Sequence, residues 1–69
     1  MSPFAERLRE AMEAEGLRVA DLAERTGIDS TNVSHLLSGD RAPSMGTLHK
    51  ILLALPRTRA RWLITGKEK

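Results

Sequence analysis

An all-α fold of about five short helices follows from three features of this sequence. Its apolar residues recur every three or four positions, and no stretch alternates as a half-buried strand would. Glycines, prolines and capping residues then cut the periodic runs into short lengths. Phe4, Leu8, Ala11 and Met12 form the first stripe, after a start at Ser2-Pro3 where serine can cap and proline suits a first turn. Gly16 ends it. Val19, Leu22 and Ala23 form a second, shorter stripe that Gly27 ends. Asp29 caps a third helix whose buried side is Val33, Leu36 and Leu37, closed by Gly39. GDRAPS is a turn, and Ser44 caps a fourth helix with Met45, Leu48, Ile51, Leu52 and Leu55 expected inward. Pro56 breaks the chain, and RTRARWLIT adds a last turn or two before Gly66. The 69 residues are expected to make one compact domain, residues 1–69, with no repeat and no linker.

Size and composition exclude several classes of function. A core this small leaves little room for a deep pocket. There is no cysteine, so neither a disulfide framework nor a thiolate metal site is available. His35 and His49 have no thiol or paired carboxylate nearby in sequence, and no nucleophile elbow is present, so neither a metal site nor an enzyme is expected. No cofactor and no small-molecule ligand are expected either. No apolar run approaches the ~18 residues of a membrane span, and MSPFAERLRE lacks an apolar signal segment. The net charge of +2 hides a division. Residues 1 to 40 hold four arginines against eight acids, giving −4, whereas residues 41 to 69 hold seven Lys or Arg against Glu68, giving +6. Such a chain has an electrostatic front and back, which matters on meeting a polyanion, although a solvated basic tail has the same composition.

The second and third helices carry the most information. VADLAERTGIDSTNVSHLLSGD places Ala23 four residues before Gly27, with Val33 and Leu36 following. A small residue lets two helices cross closely, glycine at positive φ supplies a sharp turn, and the apolar pair pins the second helix to the core. Residues 17–55, with the LAERTGI turn, the STNVSHL helix, the SGDRAPS loop and the TLHKILLAL helix, resemble the phage repressor/Cro and Xre-type helix-turn-helix family. The tail ARWLITGK is similar to the WL-x-x-G segment that often follows the fourth helix in such regulators. The resemblance implies a lambda-repressor-like bundle and a cytoplasmic regulator of transcription, acting at the bacterial nucleoid or in a phage-infected cell. It would bind a double-stranded DNA operator, with its third helix, about residues 30–38, in the major groove.

The third helix also stands apart from its neighbours in composition. Helix one is expected to show Glu6, Arg7, Arg9, Glu10 and Glu13 to water, and helix two Asp21, Glu24 and Arg25. The third shows Ser30, Thr31, Ser34, His35 and Ser38 instead. Serine, threonine and asparagine cost up to roughly 0.7 kcal/mol each in a helix relative to alanine. Local helix initiation accounts for Ser30 and in part Thr31, but not for Ser34, His35 and Ser38. Short donors and acceptors reach base edges in the major groove, where carboxylates would meet phosphates.

By resemblance, base contacts fall on Ser30, Thr31 and His35, with Asn32 and Ser34 second. For His35 the alternatives are a solvated ring or a bond to Thr31 one turn back. Phosphate contacts are expected from Arg41 first, then Arg18, Ser38, Ser44, Thr47 and Lys50, the last being equally readable as a solvated helix residue. The family often carries glutamine where this chain has Val19, so that contact does not transfer. The backbone N–H groups opening helix two still offer a phosphate site. Arg57, Arg59 and Arg61 suit either a dimer contact or solubility. Trp62 and Leu63 read as core first and dimer contact second, with Ile64 beside them. A homodimer on palindromic half-sites about one turn, roughly 34 Å, apart is the expected form on DNA. The competing expectation is a protein-binding module of the same fold, antitoxin-like or adaptor, which should expose an apolar patch at Trp62, Leu63 and Ile64. The chain also reads as the DNA-binding piece of a longer repressor.

Overall fold

A computed structural model describes residues 3–67 and shows, among them, five helices: α1 (Pro3–Ala14), α2 (Val19–Thr26), α3 (Ser30–Ser38), α4 (Met45–Ala54) and α5 (Ala60–Thr65). Ser2, the expected cap of α1, lies outside the described residues. α2 packs on α3 and α4, while α1 packs on α3 and α5. One apolar cluster joins all five: Leu8, Ala11 and Met12 from α1, Leu22 from α2, Val33, Leu36 and Leu37 from α3, Leu48, Ile51 and Ala54 from α4, and Trp62 and Leu63 from α5. Phe4, Val19, Ala23 and Leu52 reach it only in part.

Met45 is a correction. It was expected inward but is 80% exposed. It is the first residue of α4, one turn ahead of Leu48, and helical phase sets only a direction. Whether a neighbouring element fills that direction is a tertiary matter.

The helix ends form as glycine allows. Gly27 sits at φ +73° and donates to Ala23 O at 2.9 Å, closing α2 and turning the chain into α3. A Cβ built there would meet nothing within 4 Å, so the strain in an alanine variant is purely conformational. Gly27→Ala is expected to destabilise by about 1–2 kcal/mol, the cost of a left-handed L-residue, read as a lower urea midpoint at unchanged slope.

Of the three arginines expected to face water, Arg9 and Arg25 are exposed and Arg7 is half-buried, and all three also bond the ends of other helices. Arg7 on α1 donates through Nε to Leu63 O and through Nη2 to Ile64 O, both at 2.8 Å. Arg9 on α1 donates to Leu37 O, and Arg25 on α2 to Ala54 O, each at 3.2 Å. All four acceptors lie in the last turns of α5, α3 and α4, where carbonyls have no donor within their own helix. The guanidinium fork suits that role, and its stem can lie along the surface between two helices. Arg9 thereby ties the C-terminal end of α3 to α1.

Candidate nucleic-acid interface

α3 lies with Val33, Leu36 and Leu37 in the core and Ser30, Thr31, Asn32 and Ser34 exposed, while His35 is half-exposed. The five expected base-reading residues therefore share the solvent side of one helix. Its start is fixed by Asp29, whose carboxylate accepts the Thr31 N–H at 3.0 Å. Its end is a Schellman turn around Gly39 at φ +84°: the Gly39 N–H reaches Leu36 O at 3.4 Å, and the Asp40 N–H reaches His35 O at 3.2 Å. The helix is held at both ends and from behind.

His35 does not bond Thr31. Its Nδ1 instead stands 3.5 Å from an Asp40 carboxylate oxygen. The Ser38 hydroxyl beside Asp40, and then the His35 imidazole, hold the Asp40 carboxyl below the usual aspartate value, so it is an anion at neutral pH. Ser38, expected at phosphate, is also occupied within the helix end. Its hydroxyl donates to His35 O at 2.9 Å and accepts the Asp40 N–H at 3.4 Å.

Four of the expected contact residues gather around one groove. Asn32 from α3, Arg41 from the loop, and Ser44 and Thr47 from α4 line a shallow hollow of about 240 Å³ together with Ile28, Leu36, Ala42 and Pro43. Ser44 caps α4, accepting the Thr47 N–H at 3.1 Å and donating to Thr47 Oγ1 at 3.0 Å. Arg41 is exposed and brings a positive charge to the rim of this groove. Lys50 is exposed on α4 outside it.

Arg18 lies elsewhere, lining a hollow with Arg9, Val19 and Leu37. It is the N-cap residue of α2, and its N–H donates to Asp21 at 2.9 Å. That is half of a capping box, because a guanidinium has no acceptor to return. The first turn of α2 thus carries a carboxylate beside the guanidinium, at 3.9 Å, which weakens this end as an anion site. The signal was available in sequence as an aspartate at the third helical position.

Trp62 is 7% exposed and Leu63 fully buried, so both are core residues. Ile64 is 47% exposed. Two contacts not expected from the sequence are Asp40 beside His35 and Arg9 on the C-terminal end of α3.

Two helices joined at a left-handed glycine, the second of them presenting an uncharged polar face, define a helix-turn-helix module. The chain belongs to that family: residues 3–63 match the family model described as a helix-turn-helix domain. Relatives include the HTH-type transcriptional regulators for the conjugative elements R391 of Providencia rettgeri and SXT of Vibrio cholerae, each 39% identical over 66 residues. The match covers 96% of this chain, and the chain spans 30% of the length of those relatives. No solved structure matches it at comparable stringency. Among the described residues no helix is long and apolar enough to cross a membrane.

Proposed function

We propose that this chain is the sequence-reading unit of a transcriptional regulator of the repressor type, acting in the cytoplasm. It lays α3 in the major groove of an operator and binds as a homodimer on palindromic half-sites. The observation that carries this reading is the exposed face of α3, where Ser30, Thr31, Asn32, Ser34 and His35 lie together on a helix pinned at both ends. Short polar groups on a fixed helix suit base edges, and the groove with Arg41, Ser44 and Thr47 at its side suits the adjoining phosphates. The names of the relatives, regulators of conjugative elements, agree with a regulatory role.

The competing protein-binding reading needs an apolar patch at Trp62, Leu63 and Ile64, but the first two are buried. Selection of binding sites from random duplex DNA, with the mass in solution measured alongside, tests the proposal. A palindromic motif with half-sites a helical turn apart is the expected result. Enrichment without a motif, fading steeply with salt, would leave only a basic surface.

Arg41 provides a second check. Arg41→Ala is expected to weaken binding to all sequences alike and to lower the slope of log affinity against log salt by about 1. A loss confined to one base position would move Arg41 from phosphate to base reading.

A further inference from the structure

Among the described residues, the Schellman turns at Gly16 and Gly39 differ in one respect. At Gly16 the residue after the glycine is Leu17, whose N–H bonds Met12 O at 2.8 Å and whose side chain packs on the core cluster that contains Met12. An apolar pair across these two positions is the usual companion of the motif. At Gly39 the corresponding pair is Asp40 and His35, with Nδ1 and carboxylate 3.5 Å apart. The turn needs only the backbone N–H of Asp40, which any residue except proline supplies. It does not need the carboxylate. An anion beside a helix that faces DNA is unfavourable unless it serves that helix, and the Asp40 carboxylate is aimed at one of the reading residues.

We propose that Asp40 is a positioning residue for base reading: its carboxylate accepts a hydrogen bond from Nδ1–H of the uncharged form of the His35 ring, fixing the ring and leaving Nε2 as an acceptor for the exocyclic amino group of adenine or cytosine. The proposal rests on the reading that His35 touches a base, and it goes further by naming the class of base edge. A neutral imidazole carries one donor and one acceptor, and the partner of one nitrogen decides the role of the other. In the major groove only adenine N6 and cytosine N4 offer donors, whereas guanine offers acceptors alone.

The test pairs site selection with imidazole nitrogen NMR at about pH 8, on the alkaline side of the range in which histidines titrate. It compares the unaltered protein with His35→Ala, Asp40→Asn and Asp40→Ala. The His35 signal is assigned by its loss in His35→Ala, and far-UV circular dichroism checks folding. In the unaltered protein, Nδ1 should carry the proton and one position of each half-site should favour adenine or cytosine by about five-fold or more. His35→Ala should abolish that preference. Asp40→Asn, whose amide serves either tautomer, should mix the tautomers and let guanine in at the same position, and Asp40→Ala should do likewise. If His35→Ala leaves every base preference unchanged, the base-reading role of His35 fails. If His35→Ala erases a preference that both Asp40 variants keep, with the tautomer unmoved, the base-reading role stands and the positioning role of Asp40 is overturned.

Discussion

Leu22→Ala is expected to leave the protein mostly unfolded at physiological temperature. Leu22 is fully buried and is the one buried residue of α2, which packs on both α3 and α4. Removing a buried leucine side chain costs about 2–5 kcal/mol, and a core of this size nets only about 3–5 kcal/mol. The loss therefore takes most of what is there. Far-UV circular dichroism against temperature and the spread of amide proton shifts would show it. A melting curve within a few degrees of the unaltered protein would mean that α2 is held through contacts other than Leu22.

The double substitution Thr31→Ala and His35→Ala should have the opposite profile, sparing the fold and erasing discrimination. Thr31 is exposed, His35 is half-exposed, and neither belongs to the core cluster. Alanine also favours helix more than either residue, so α3 should hold or gain slightly. Each good base contact is worth about 1–3 kcal/mol of discrimination. With two contacts removed, the ratio of operator to random-sequence affinity should then fall by roughly thirty-fold or more, while affinity for random DNA stays near its original value. Titrations of both duplexes at one salt concentration measure this. An unchanged ratio would place the reading face elsewhere on the molecule.

These two outcomes separate what was legible in the sequence from what was not. The helix boundaries were legible because they depend on local chemistry. Asp29 caps α3, Ser44 caps α4, and Gly27, Gly39 and Gly66 close helices at positive φ as expected. The buried stripe of α3 follows the same period that exposes Thr31 and Ser34. Met45 shows where periodicity stops being informative, since phase cannot say whether a neighbour is present. Arg7, Arg9 and Arg25 show a further limit. On a helical wheel they are solvent residues, and only the assembled bundle brings a carbonyl of another helix within reach of each. The His35 and Asp40 pair is intermediate. They lie five positions apart, and the glycine between them announces the turn that folds one back on the other, so the pairing was open to turn geometry. The operator is not legible at all, because serine and threonine hydroxyls accept and donate to several bases alike.

The three buttressing arginines also bear on how the protein searches a chromosome. Their guanidiniums hold carbonyl oxygens rather than carboxylates, so the ties between α1, α2 and the helix ends they grip are hydrogen bonds to neutral groups. Counterion release loosens the hold on phosphate as salt rises, whereas bonds to neutral, partly covered carbonyls are screened far less. Conditions that detach the protein from DNA should therefore not unlock the bundle. If α3 reads DNA as proposed, it is then expected to stay set between one duplex site and the next.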